Sequence, residues 1–459
     1  MTPPPAQSLF CLDVLLPGGW EQNVRLEIDA GKFSKVERGA TKRAGEEVVI
    51  AAVPGIGNVH SHGFQRGMAG LTEYRGPEAD NFWSWRELMY RFVGRMTPDD
   101  LEAVTAQAYV EMLEGGFTRV GEFHYVHHDV AGKPYADRAE MASRVAAAAA
   151  TTGIGLTLLP VFYAHGNFGG AAPTEGQRRF INDVDGFARL LEASRRSLAR
   201  LPDAVLGVAP HSLRAVTPEE LKRVITLGGA GPIQIHAAEQ VKEVEDCVAW
   251  SGARPVQWLL DNAAVDARWC LVHATHMTGD EITRLARSGA VAGFCPITEA
   301  NLGDGISPAA PYLAAGGTFG IGTDSNVLIS VSEELRLLEY SQRLRDRARN
   351  VLAAQSPHST GRTLFVHAHR GGARALGVPG PAGADGILPG ASADLVAVLP
   401  SMESRRSVDV ILDGFIFASG KVGVTDVWRA GRKVVSSGIH HARGEVQARF
   451  RAVVQRLAA

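Results

Sequence analysis

The chain has 459 residues, 45% of them hydrophobic and 21% charged. That is an ordinary globular balance, and the length calls for two or three domains or one large barrel with an appendage. A formal net charge of -2 leaves no global field to recruit nucleic acid or an acidic membrane surface, so neither partner is expected.

The opening MTPPPAQSLFCLDVLLPGGW has no basic region ahead of its short apolar run, so no signal peptide is expected. Gly, Pro or charge interrupts every apolar stretch short of membrane-spanning length. The first fifty residues then show short β segments, NVRLEID, GKFSKVERG and EEVVIAAVPG. From there to about residue 375 the texture changes to apolar strand-length runs alternating with Ala- and Leu-rich helical patterns. The runs are VPGIGNVH, TRVGEFHY, GLTLLPVF, AVLGVAP, PIQIH, WCLVH, AVAGFC and TFGIGTD. Two of the intervening helices open on Thr97-Pro98-Asp99 and Thr217-Pro218-Glu219, the residues that start helices well. Strand–helix alternation predicts a parallel sheet, and eight units predict a (β/α)8 TIM-type barrel over 55–375. A doubly wound sheet is the alternative, but no Gly-rich phosphate loop follows the first strand. The turn-rich GVPGPAGADGILPG leads to the final β segments ADLVAVL, VDVILDG and VTDVWRAGRKVV and to an amphipathic tail helix. Residues 1–54 and 376–459 are expected to make one small β-sandwich from both termini. Four cysteines, Cys11, Cys247, Cys270 and Cys295, form no C-x-x-C pair. They read as small buried hydrophobes in a reducing compartment, which makes a cytoplasmic location the default.

The chemistry gathers at strand ends. His60 and His62 end the first barrel strand, and side chains at i and i+2 share a face, so two imidazoles can converge on one ion at the barrel mouth. A lone H-x-H is weak, and one polar residue at a strand end is commonly just a satisfied side chain. Here, however, His211, His236, His273 and Asp324 end four later strands. The expected metal set is His60, His62, His236 and Asp324. Three imidazoles and a carboxylate suit one divalent ion, zinc first and iron or manganese as alternatives, with a position left for water. Glu239, three residues after His236, is placed to move a proton to a departing nitrogen; its plain alternative is a helix N-terminal acid favoured by the dipole. His273 and Asp324 are the further acid–base candidates, and His273 could instead be a ligand. His124, His127 and His128 cluster after the second strand without a carboxylate pattern and read as loop residues; His367 and His369 read as structural. Trp83 and Trp85 suit a lid or an interface.

Together VPGIGNVHSH, the His236/Glu239 pair, His273 and the GTDS at Asp324 resemble the amidohydrolase superfamily, and the flanking PGASADLVAV and VWRAGRKVV resemble its split sandwich. The fourth strand ends in VAPHS, with no lysine where binuclear members carry a bridging carbamate, which implies the mononuclear deaminase branch. Within it, NVHSHGFQRGMAGLTE, ADNFWSWRELMYRF, VGEFHYVHH, VAPHSLRAVTPE and IHAAEQVKEVEDC are similar to the formimidoylglutamate deiminases of histidine breakdown. That resemblance implies substrate contacts at Gln65, Arg86, Tyr125, His211 and Arg214. It implies deimination of N-formimino-L-glutamate to N-formyl-L-glutamate and ammonia, and a homodimer. The residues agree with it: a small-molecule substrate with two carboxylates calls for guanidinium groups, which bind carboxylates in a bidentate way. Singly, each arginine reads as a surface salt bridge. Two rivals stand beside this reading, a deaminase or chlorohydrolase of a heteroaromatic ring and a barrel scaffold without catalysis.

Overall fold

The computed structural model describes residues 6–74, 81–354, 356–378, 386–399, 408–418 and 423–458. The first five residues and half of the turn-rich linker, 379–385, lie outside these. Four strands open the chain, β1 (Gln7–Leu16), β2 (Gly19–Asp29), β3 (Lys32–Glu37) and β4 (Glu47–Pro54). The chain then enters the barrel through β5 (Ile56–Ser61), β6 (Phe117–His124) and β7 (Gly155–Phe162). The fourth barrel position is split into two short strands, β8 (Val205–Leu206) and β9 (Ala209–Pro210), both parallel to β7. β10 (Ile233–Ala237), β11 (Trp269–His273), β12 (Val291–Phe294) and β13 (Thr318–Ile321) complete the series.

Every barrel pairing is parallel, β13 returns to β5 through Ile321 and Asn58, and a bridge between Val208 and Ile233 closes the circle. Two backbone bonds seal that seam, Val208 N–H to Pro232 O at 3.0 Å and Gln234 N–H to Val208 O at 3.1 Å. The eight apolar runs thus become the eight staves expected of a (β/α)8 barrel. The helix starts also behave as the sequence indicates. Thr97 and Asp100 form a reciprocal capping box ahead of Pro98–Glu114, and Thr217 and Glu220 do the same ahead of Pro218–Leu227.

The remaining strands, β14 (Leu395–Val398), β15 (Val424–Arg429), β16 (Arg432–Ser436) and β17 (Ile439–His440), join β1–β4. The hydrogen-bonded order is β17-β16-β15-β14-β4-β1-β2-β3. The predicted sandwich is therefore one continuous mixed sheet rather than two. Its far edge folds back: Phe33 N–H donates to Ala391 O and Gly390 N–H to Phe33 O, tying β3 to the chain just ahead of β14. That fold encloses a second core around Leu26, Phe33, Leu395 and Trp428. β4 serves both cores, because alternate residues face opposite ways: Ala51 and Val53 face the barrel and Ala52 the sheet's own core. The final helix, Arg443–Ala458, lies on Pro98–Glu114, where Arg449 pairs with Glu102 and Arg456 with Asp100. All four cysteines are buried and unpaired. Among the described residues no helix is long and apolar enough to cross a membrane.

Candidate metal and active site

His60 lies in β5 and His62 just past its end, with their rings nearly perpendicular and centroids 4.7 Å apart. The Nε2 atoms of His60 and His62 lie 3.2 Å apart, and those of His60 and His236, at the end of β10, 3.1 Å. Asp324, just past β13, brings Oδ1 to 3.5 Å from His60 Nε2 and 3.3 Å from His62 Nε2. All four side chains are buried.

The other ring nitrogens decide what this arrangement means. His62 Nδ1–H donates to Phe123 O at 3.0 Å and His236 Nδ1–H to His211 O at 3.0 Å. His60 Nδ1 meets Gln234 Oε1 at 3.3 Å, and Gln234 gives its own Nε2–H to Val59 O at 2.7 Å, which fixes that oxygen as an acceptor. Each Nδ1 therefore carries the proton and each Nε2 presents a lone pair. Burial, with His60 close by, pushes His62 down to about 3. Burial, then His211 and His60, holds His236 well below the ordinary imidazole range. Three inward lone pairs beside a carboxylate repel one another unless a cation stands among them. Bonds of ~2.0–2.1 Å at tetrahedral angles need donor separations of ~3.3–3.4 Å, and these separations bracket that value. The residues present fit one divalent ion.

A polar frame holds the donors. Asn58 Oδ1 accepts from Thr323 N–H at 3.1 Å and His60 N–H at 3.3 Å. Asn326 Nδ2 donates to His62 O and Asp324 O, both at 3.0 Å. Glu122 Oε1 accepts Gly63 N–H at 2.6 Å. Gly322 is required where β13 passes β5, because a Cβ there would stand 2.9 Å from the His60 Cβ. Ala238, His273, Ala274 and Asp324 all adopt positive φ at the mouth, between 43° and 67°, a concentration of costly backbone of the kind found at functional sites.

Beside the imidazole cluster stands a proton-handling group. His273 Nε2 lies 3.5 Å from Glu239 Oε1 and 3.7 Å from Asp324 Oδ2, and its Nδ1 lies 3.4 Å from Glu299 Oε1. Burial pushes His273 down, but Glu239, Glu299 and Asp324 outweigh it and hold its imidazolium well above the usual range. Burial lifts Glu239 to about 7 against the pull of His273. Burial would raise Asp324 too, but the imidazoles around it, among them the protonated His273, hold its carboxyl well below the ordinary range.

An open pocket reaches this group, lined by His62, His236, Glu239, His273 and Asp324. Gln65, Arg86, Tyr125, His211 and Arg214 line the same cavity; His60 lies beneath it. Gln65 Nε2 donates to the Tyr125 hydroxyl at 3.0 Å, leaving Gln65 Oε1 buried without a partner among the described residues. The Arg86 guanidinium sits 4.6 Å over the Trp83 ring and that of Arg214 5.8 Å from the same ring. Neither arginine makes an ion pair among the described residues, and each keeps a buried Nε without an acceptor.

The profile of the Amidohydrolase family matches residues 51–434. The chain belongs to that family. Residues 9–49 match the profile described as Formimidoylglutamate deiminase HutF, N-terminal domain. A protein named formimidoylglutamate deiminase from Pseudomonas aeruginosa is 51% identical over 438 residues, 94% of this chain and 95% of that one. The crystal structure of an amidohydrolase from Brucella melitensis is 56% identical, covers 99% of this chain and 100% of its own, and superposes with a TM-score of 0.95. An adenosine deaminase from Xanthomonas campestris with bound zinc, 23% identical over the whole of both chains with a TM-score of 0.80, shares the amidohydrolase fold.

In this amidohydrolase the residues that sequence reasoning missed are those gripping the strand-end side chains: Asn58, Glu122, Gln234, Glu299 and Asn326. Two carried a signal. Asn58 and Gln234 each precede a strand-end histidine by two positions inside an otherwise apolar strand, and so share its face. His124, His127 and His128 sit apart from the pocket, buried rather than in an open loop. His367 stacks on Phe319, centroids 5.8 Å apart, and His369 Nδ1 meets Gly55 O at 3.0 Å. Trp83 and Trp85 belong to the pocket wall region rather than a free surface: Trp83 lies beneath both arginines and Trp85 lines the cavity.

Proposed function

We propose that this chain is a formimidoylglutamate deiminase, a hydrolase that converts N-formimino-L-glutamate and water to N-formyl-L-glutamate and ammonia with one divalent ion held by His60, His62, His236 and Asp324. The observation that carries the substrate is the pair Arg86 and Arg214. Both line the cavity that ends in the imidazole cluster, and neither makes an ion pair among the described residues. A guanidinium without a counter-ion in a partly dry pocket calls for an anionic ligand, and two call for two carboxylates. A heteroaromatic base would leave Arg86 without a paired carboxylate and Arg214 with only the more distant charges of Glu243 and Glu239. The relative at 51% identity bears the same activity in its name.

When bound, the ion supplies Lewis acidity and brings the ionisation of water into the neutral range. The chain's own groups supply the rest. Arg86 and Arg214 hold the two carboxylates, while Gln65, Tyr125 and His211 fix the orientation of the formimino head. Asp324, kept as a carboxylate, accepts the proton of the attacking water. His273 keeps its proton between Glu239 and Glu299 and directs Nε2–H at the charge that grows during attack. Glu239, lifted to about 7, exchanges protons readily near neutral pH: it delivers one from Oε1 to the departing nitrogen, the proton taken by Asp324 completes the ammonia, and Glu239 recovers one from the hydroxyl as the carbonyl forms.

Zinc is the ion we assign to the three imidazoles and one carboxylate; elemental analysis of the purified protein checks it, and iron or manganese would replace it. Four buried unpaired thiols support the cytoplasmic reading. A homodimer completes the proposal, and light scattering after size exclusion tests it. The deciding experiment is ammonia release across a substrate panel: N-formimino-L-glutamate should react and guanine and cytosine should not, and the reverse would overturn the assignment. Arg214→Met should lower kcat/KM by about 30-fold or more, since removing one partner of a buried charged hydrogen bond costs ~2–5 kcal/mol.

A further inference from the structure

Glu299 contacts the edge of the His273 ring that faces away from Glu239. It sits on the short helix Pro296–Leu302 that follows β12, is 3% exposed, and is not among the cavity's lining residues. Its Oε1 accepts twice, from His273 Nδ1–H at 3.4 Å and from Cys295 N–H at 2.9 Å. Cys295 is the residue that starts that helix, so one carboxylate oxygen both closes the helix and grips the ring. The same helix is tied to the end of β13, because Thr298 Oγ1 donates to Thr323 O at 3.2 Å and accepts Ser325 N–H at 3.3 Å. Glu299 and Asp324 are thereby set on one framework on either side of His273.

An imidazole has two nearly equivalent ring settings, since rotation about its last bond is broad and roughly two-fold. The wrong setting would put carbon where Nε2 must stand, 3.5 Å from Glu239 and 3.7 Å from Asp324. Stacking on His236, centroids 5.6 Å apart at 14°, fixes the plane of the ring but not which edge faces the pocket. The His273 backbone, at φ 67°, does not fix the edge either. An acceptor at Nδ1 does.

We propose that Glu299 is a positioning residue for the hydrolysis: through Nδ1 it sets the edge and tautomer that His273 presents to the reacting atoms, while touching neither substrate nor ion itself. The proposal rests on the role given to His273 above.

The test uses the metal-loaded full chain. Glu299→Leu keeps bulk and removes the acceptor; Glu299→Gln keeps an oxygen able to accept both bonds. Glu299→Leu should lower kcat about 10–100-fold, with KM within about threefold and the bound ion per chain unchanged. Glu299→Gln should recover kcat to within about threefold of the parent. Adding Glu299→Leu to His273→Asn should cost nothing further, because both remove one interaction. Should Glu299→Leu not fold, Glu299→Asp serves: one methylene short of Nδ1, it should show the same fall in kcat at unchanged KM. Unchanged kcat in these variants, a fall that follows lost metal, a glutamine no better than leucine, or multiplicative losses in the double variant would each overturn the proposal. If His273→Asn alone were fully active, the role of His273 would fail and the proposal with it. If His273→Asn is dead and Glu299→Leu is not, only the proposal fails.

Discussion

This barrel buries two separate groups of histidines, and burial does not tell them apart. His60, His62 and His236 are 0%, 4% and 6% exposed; His124, His127 and His128 are 2%, 1% and 6%. The difference lies in which nitrogen the surroundings consume. In the first group Phe123 O, His211 O and the Gln234 side chain take Nδ1 and leave Nε2 converging beside Asp324. In the second, Val161 O takes His127 Nε2 at 2.8 Å and Ile181 O takes His128 Nε2 at 2.7 Å. Among the described residues no carboxylate joins the second group in a cluster suited to an ion. A metal site is recognised here by its outer hydrogen bonds more than by its residue types.

The largest effect expected from that contrast is at His236. His236→Asn should take metal content to near zero and ammonia release to background, whereas His127→Gln should leave metal content at the parent value. Elemental analysis of the two variants would erase the distinction if both lost the ion. A smaller change sharpens it. Gln234→Leu leaves every metal donor in place and removes the acceptor for His60 Nδ1 together with the bond to Val59 O, so apparent metal affinity should fall about 10–100-fold in a chelator competition. An unchanged affinity would mean that the outer bond orients nothing.

A separate effect, nearly absent at neutral pH and growing with acidity, concerns the stability of the second group. Burial pushes His124 down from 6.5 to about 3, and its Nε2 has no partner among the described residues. Below pH 6.5 the unfolded chain therefore takes up a proton that the folded chain refuses, and stability falls with pH over that window. His124→Phe removes this term. Measured by denaturant unfolding, the variant should gain on the parent by about 1.4 kcal/mol per pH unit between pH 6.5 and about 3. A difference that does not change between pH 7 and pH 5 would show that His124 is not held neutral.

The donors were legible in the sequence because barrel strands are apolar, and a histidine or aspartate ending one stands out against Val, Ile and Gly. His60, His62, His211, His236, His273 and Asp324 were all visible in that way, and the eight apolar runs gave the staves. Arg86 and Arg214 needed the family resemblance, since an arginine in a loop looks the same whether it meets solvent or a ligand. Glu299 and Asn326 were not legible at all: each acts across 26 and 264 residues of chain, on His273 and the His62 carbonyl, and no local pattern encodes such a partner. The single folded-over sheet was missed for the same reason, because alternation within a strand says which face is apolar but not which strand lies beyond it. The split fourth stave escaped because AVLGVAP is apolar throughout, and a break in pairing leaves no mark in hydrophobicity.

The left-handed backbone at Ala238, His273, Ala274 and Asp324 has a consequence for anyone seeking a hardier catalyst. Such a conformation costs an ordinary residue about 1–2 kcal/mol, so the mouth of this barrel is sprung while its staves are relaxed. Glycine at Ala238 or Ala274 would release that tension and slacken the grip on the reacting groups together, so heat tolerance and turnover should trade against each other there. Gains without that penalty belong on the outer helices and the folded-over sheet, far from the reacting atoms.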